Sequence, residues 1–504
     1  MMIYTAEIQA YDPGTSSVIT YRYATGTFMD SGTIYEPRLV AAPRYSRSIR
    51  TSLIGGTATE LSFGELRLLN GDGALDGMRA DYFDGRKVTV KYGDSAAAYG
   101  TFTTVLIAKM GGIAYEGDFI SIRLRDRLPE LDKVFSDLVY GGTNALPNGV
   151  DGTADDIKGQ YRPRPLGIVS LMAPVLVNTS LLIYEISCKQ CDYVANVFGG
   201  GSYLGRGSDY TSISDMQSNQ PSSGTFRCYY SATGTYVRLG STAFGQLTAM
   251  VFEKWAHTSV SAAGILSRMF SELSWVAGTD YVSADLTTLD QACCGPLGLL
   301  VQPEETIASL IDRIAGTVGA WWGFDTQGRF IVKRLEFGTS VATLTSVQLK
   351  DMEGQATDDE VVWRITIPGD RNYAVQAKES LAGIVQANAA RVAWYGTETR
   401  DQKSELTSVK TERLTATEQR HEGYFHAISQ AQAESKRRLD LFRVRRDTNT
   451  ARLLGYSSYS GAIDLGVTVT VQSNELGYSS GRDMIVAGID VDLEADAADL
   501  ILWG

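Results

Sequence analysis

The chain has 504 residues, 44% of them hydrophobic and 21% charged, with 46 Lys plus Arg against 58 Asp plus Glu and a net charge of −12. That length is too great for one core and predicts three or four domains, and the acid excess argues against a protein built to grip DNA through a basic stripe. Five cysteines exclude a disulfide scaffold, and no apolar run reaches the ~20 residues of a membrane helix.

Met1-Met2-Ile3-Tyr4-Thr5 leads straight into an alternating strand, so no signal peptide and folding in a bacterial cytoplasm are expected. Residues 1–165 read as a first antiparallel β-barrel domain. Val88, Val90 and Tyr92 alternate with Lys87, Thr89 and Lys91, Phe119 to Leu124 repeats the pattern, and Asn70-Gly71-Asp72-Gly73 is turn chemistry. Residues 166–245 read as a β-rich insert, from Leu181–Ile186 to Gly234–Leu239. Gly199-Gly200-Gly201 is a sharp turn there, and Ser212 to Ser223 a polar surface loop.

The period changes near residue 246, and residues 246–350 read as an α/β piece. Ala262 to Leu273 predicts one helix. Pro303, Glu304 and Glu305 predict the first turn of a second, with Ile307, Leu310, Ile311, Ile314 and Val318 as its apolar stripe. A hairpin follows, Trp321 to Phe324 against Phe330 to Val332 around Asp325-Thr326-Gln327-Gly328. Residues 351–504 return to strands, with one long helix. Thr415-Ala416-Thr417-Glu418 has capping-box spacing, and Tyr424, Ile428, Ala431, Ser435, Leu439 and Phe442 predict a single face ending near Arg443. The fold class is β-rich α+β: two related antiparallel barrels flanking a β insert and a small α/β domain. Val88–Lys91, Thr104–Ile107 and Phe119–Ile122 find echoes in Val467–Thr470, Met484–Ala487 and Asp499–Leu502.

The residues with chemistry are few. Cys188-Lys189-Gln190-Cys191 has the spacing of a zinc or iron–sulfur chelate, with Cys228, Cys293 and Cys294 as further thiolates. The pair follows an apolar strand, and adjacent Cys293 and Cys294 are awkward ligands for one metal, so buried thiols and no cofactor are expected. His421-Glu422-Gly423-Tyr424-Phe425-His426 departs from H-E-x-x-H, because residues five apart on a helix diverge by roughly 140°. Both histidines read as solvated helix positions, and His257 has no ligand pattern. Asn70 to Asp76 offers oxygen ligands without the length or closing Glu of a calcium loop, and Asp151, Asp155 and Asp156 are similar loop acids. Lys436, Arg437, Arg438, Arg443, Arg445 and Arg446 form the one basic cluster, read as helix-end stabilisation or an acidic partner surface. With no nucleophile elbow or Walker loop, no catalytic residue is assigned.

The order of motifs carries a resemblance. Gly64-Glu65-Leu66-Arg67-Leu68-Leu69-Asn70-Gly71-Asp72-Gly73-Ala74-Leu75-Asp76 is followed by Gly85-Arg86-Lys87-Val88, Tyr140-Gly141-Gly142, Lys158 to Gly167, Met172 to Leu176 and Leu182 to Ile186. Ala320 to Val332, Asp464 to Val467, Gly481 to Val486 and Ile501 to Gly504 extend the series to the end. This order resembles the baseplate hub (tail-tip) proteins of long-tailed bacteriophages. The resemblance implies a structural, non-enzymatic virion protein: a homotrimer whose two barrels per chain make a pseudo-sixfold ring closing the tail tube. Distal-tail and tube proteins, the tape-measure protein, and a central fibre or spike would be its partners, with viral DNA passing through the lumen at ejection. It also implies a cysteine-bound iron–sulfur cluster, as in some lambda-like tail tips, as the alternative for Cys188, Cys191, Cys228, Cys293 and Cys294. Competing readings are a hexameric distal-tail protein, a cell-wall-degrading tail enzyme and a host-receptor adhesin.

Overall fold

Alternation in the first strands does what it predicts: it buries one face of a sheet. In the computed structural model, which describes the chain apart from residues 50–59, 63, 146–147, 294, 358–360, 460 and 475, six antiparallel strands form an N-terminal sheet. Their order is Ser17–Ala24, Met2–Asp12, Lys87–Asp94, Thr103–Glu116, Phe119–Arg125 and Glu65–Leu69. Ala6, Ile8, Val88, Val90, Leu106, Ile120 and Leu66 are buried on one side, under Leu39, Leu75, Met78 and Phe83 from the connecting segments.

A second sheet closes the other end of the chain. It runs Thr343–Thr345, Thr468–Gln472, Arg482–Asp492, Ala497–Trp503, Arg446–Leu454 and Leu349–Thr357, and Arg44–Ser48 also pairs with Arg482–Asp492. Three consecutive antiparallel strands form a meander at the heart of each sheet, Lys87 to Arg125 in one and Thr468 to Trp503 in the other. Both sheets are curled half-barrels rather than closed barrels. The chain is 42% strand and 19% helix, a β-rich multidomain fold.

Between them, two five-stranded sheets face each other. One carries Pro165–Met172, Tyr193–Gly199 and Leu247–Phe252, the other Ile183–Ser187, Thr225–Ser231 and Gly234–Leu239. Val169, Val197 and Val251 from the first interleave with Ile186, Phe226 and Val237 from the second, making a sandwich core. Gly199, Gly200 and Gly201 form its turn, the last two at positive φ. Ser212 to Ser223 is not all loop, because Ser212 Oγ caps a short helix, Ile213–Ser218, by accepting from Asp215 N at 3.0 Å.

The helix at Ala262–Glu272 falls where its stripe predicts, capped by Ser261. Ser283–Ala292 is a further helix that its weak apolar pattern concealed. The next starts later than Pro303 suggested. It spans Ile307–Thr317 with Thr306 as cap, while Glu304 sits at φ +57° in the preceding turn. Glu305 instead turns to Arg313, 2.7 Å away. The hairpin Ala320–Phe324 and Phe330–Arg334 forms as read.

The long helix is shorter than predicted, Ile428–Phe442. The expected capping box is a strand, Thr417–Arg420, which pairs in parallel with Val362–Gly369. Tertiary pairing outweighs the local capping signal there, and Tyr424 lies before the helix.

Candidate assembly surfaces and buried charge clusters

The sandwich and the C-terminal region meet where Ser170, Asp370 and His426 converge. Ser170 Oγ lies 2.5 Å from Asp370 Oδ1 and 3.1 Å from His426 Nδ1. The residue types are those of a hydrolase triad, but the wiring differs. The carboxylate accepts a hydrogen bond from the serine hydroxyl and not from the imidazole, and Ser170 is buried, 4% exposed. Trp394 Nε1 and the Arg400 guanidinium also converge on Asp370, so the cluster fastens three segments together.

His421 and His426 are neither solvated nor helical. Both lie in the link before the helix Ile428–Phe442 and are half-buried. Burial, reinforced by Arg438 and opposed by Glu434, lowers the His421 imidazole to about 4. His257 is exposed in a short turn of helix.

Cys188, Cys191, Cys228 and Cys293 are all buried, and Cys294 lies outside the described residues. Cys191 and Cys228 share the sandwich core, Cys188 lies 4.0 Å from Ser136 Oγ, and Cys293 belongs to the main core. Burial pushes the Cys191 thiol up to about 11 and the Cys228 thiol up to about 12. Among the described residues, no three His, Cys, Asp or Glu side chains are grouped to hold a metal. The Asn70 turn spends its oxygens internally: Asn70 Oδ1 accepts from Leu75 N, and Asp72 takes a bidentate contact from Arg38 at 2.9 and 2.7 Å. Asp151 likewise accepts from Gly141 N and Thr143, and Asp156 from Thr153. No such contact involves Asp155 among the described residues.

The basic cluster divides. Lys436 is exposed and pairs with Asp440, and Arg443 and Arg445 are exposed near the helix end. Arg446 is half-buried, its guanidinium over the Phe337 and Trp503 rings. Arg437 and Arg438 turn inward, so they belong to neither a solvated helix end nor a partner surface. With Arg334 they surround Glu434, which is 2% exposed, at 2.5 to 2.7 Å. Burial pushes the Glu434 carboxyl up, but Arg438, Arg437 and Arg334 outweigh it and hold it at about 2. Spare guanidinium N–H groups donate to Gly316, Thr317, Leu335 and Ala292 carbonyls, three of them at helix C-termini. Gly319, at φ +64°, lets the cluster close, because a Cβ there would lie 2.3 Å from Arg437 Nη2. Glu434, Arg437 and Arg438 stand at i, i+3 and i+4 on one helix, but Arg334 and the helix-end carbonyls come from separate elements that spacing cannot reveal.

The faces of the two half-barrels opposite their aliphatic layers carry opposite charge patterns. On the N-terminal sheet, Lys87 is directly opposite Lys109, and Lys109 opposite Arg125, with exposed Arg123 and Arg67 beside them. Lys109 has a carboxylate at 3.5 Å in Glu130, whereas Lys87, Arg123 and Arg125 make no ion pair among the described residues. On the C-terminal sheet, Asp490 is directly opposite Asp499. Both line a groove of about 620 Å³ that also takes in Asp351, Arg452 and Ile501. Burial, then Asp499, raises the Asp490 carboxyl.

No protein-family model matches the chain, and no curated protein matches it. Solved structures do. The 43 kDa tail protein of prophage MuSo2 from Shewanella oneidensis is similar at 12% identity and TM-score 0.39, over 94% of this chain and 95% of that one. A tail protein from Neisseria meningitidis MC58 is similar at 12% identity and TM-score 0.42, over 99% and 96%. A chain of a native gene transfer agent particle is similar at 14% identity and TM-score 0.42, over 75% and 92%. Likenesses this distant carry no functional argument.

Proposed function

We propose that this chain is a structural hub of the tail tip of a long-tailed bacterial virus, acting in the virion and not as an enzyme. Three copies would form a pseudo-sixfold ring that closes the tail tube, joins it to a fibre or spike, and leaves a passage for DNA. The observation that carries this reading is the same three-strand meander in a curled sheet at each end of the chain. Two like units per chain are what a trimer needs to meet a sixfold neighbour, and the order of sequence motifs supports the same reading. Obligate rings commonly bury more than ~2,000 Å² per interface, which a chain with a broad curled sheet at each end could supply. The Ser170 cluster supports a structural role, because its serine is buried and its carboxylate bypasses the histidine.

Native mass spectrometry of the purified chain, with metal content read on the same sample, tests the proposal. A trimer is expected. A hexamer would favour the distal-tail reading, and cleared zones on a bacterial cell-wall zymogram would favour the enzyme. Bound iron or zinc would favour a cysteine-held metal.

A further inference from the structure

Like charges placed directly across neighbouring strands destabilise a sheet, and a protein keeps such pairs where something else neutralises them. This chain has two such rows of opposite sign. Lys87, Lys109 and Arg125 line up across three strands of the N-terminal half-barrel, on the face its aliphatic layer does not use. Asp490 and Asp499 face one another across two strands of the C-terminal half-barrel, inside the groove that Asp351 also lines. Lys109 has Glu130 at 3.5 Å and Asp499 has Arg452 at 3.4 Å, while Lys87, Arg125, Asp490 and Asp351 are exposed and make no ion pair among the described residues. The groove has room for long cationic side chains, and Ile501 on its floor offers an apolar surface for their methylene stems.

We infer that the cationic row of one copy docks into the acidic groove of a second copy, the two half-barrels recognising each other between chains. The contact rests on the ring reading above and supplies it with a pair of surfaces. Because the two surfaces differ, the contact is heterologous, and repeating it leads to a closed ring or an open filament. Electrostatic contacts of this kind weaken with salt, as the partners' charges are screened.

The full-length chain and three variants test this: K87E/R125E, D490K/D499K, and the chain carrying both sets. All changed side chains are exposed, so each variant should keep the wild-type melting temperature within a few degrees, which thermal unfolding checks. Sedimentation velocity should show association of the wild type that weakens as salt is raised. Each single-face variant should associate at least about tenfold more weakly, and the chain with both faces reversed should regain most of the loss. An oligomer indifferent to all three variants overturns this contact and leaves the ring reading standing. A wild-type monomer at every concentration overturns both. Wild-type retention on duplex DNA that K87E/R125E abolishes, with association unchanged, would overturn the inference and assign the row to nucleic acid.

Discussion

The N-terminal half-barrel and the joint around Glu434 are held by different physics. The first is an aliphatic layer: Ile8, Val90, Leu106 and Ile122 come from four strands, each from a period-two alternation, and each is fully buried. The second is a buried carboxylate with three guanidiniums, drawn from the hairpin and the long helix and tied by hydrogen bonds to two further helix ends. An apolar layer tolerates exchange among side chains of similar volume, while a buried charge network tolerates almost none. Robustness and specificity are therefore placed in different parts of one chain.

The largest effect should come from removing the central charge. Glu434→Leu leaves three cations without their acid and should cost about 3–5 kcal/mol, whereas Leu106→Met in the half-barrel should cost under about 1.5 kcal/mol. Urea unfolding of the two variants would break the contrast if they proved equal. Next comes Gly319→Ala, which forces a Cβ into the joint at positive φ and should cost at least about 2 kcal/mol. Intact hydrogen–deuterium protection at Gly316–Thr317 in that variant would show that the joint can move aside.

Acid should separate the two regions more gently. The Glu434 carboxyl is depressed from 4.5 to about 2, so its stabilisation is complete above the unfolded value and fades as pH falls through that interval. The His421 imidazole is depressed from 6.5 to about 4, so its neutral form likewise stabilises the fold above 6.5 and that contribution is lost on acidification towards 4. Melting temperature against pH should flatten in the lower window for Glu434→Gln and in the upper for His421→Gln, while Leu106→Met keeps the wild-type profile. The smallest effect is expected at the exposed pair Lys436–Asp440, where Lys436→Ala should change stability by no more than about 0.5 kcal/mol.

What the sequence made legible follows the same division. Period-two alternation marked the strands around Val88 and Ile120, and period-3.6 stripes marked the helices at Ile265 and Leu310, because those signals lie in neighbouring residues. Thr415 to Glu418 misled, since its capping spacing is local while the parallel strand that claims Thr417–Arg420 lies far back at Val362–Gly369. Arg437 and Arg438 looked like a helix-end surface, for nothing in their own neighbourhood discloses Arg334 or the carbonyls of Gly316 and Thr317. The opposed charges on the two half-barrels were equally hidden, as cross-strand register is not written in either strand alone.

The strand Arg44–Ser48 belongs to the C-terminal sheet, where Ser48 pairs with Gly488 and Arg44 with Asp492. During synthesis this early segment can pair along one edge with Glu60–Ser62, while its other edge waits for the distant Arg482–Asp492. The nascent chain must therefore carry an unpaired edge through most of its translation. Completion of the C-terminal half-barrel is therefore what covers that edge. A chain cut short before Arg482 would display one bare edge of Arg44–Ser48, the kind of exposed strand edge that invites pairing with another chain.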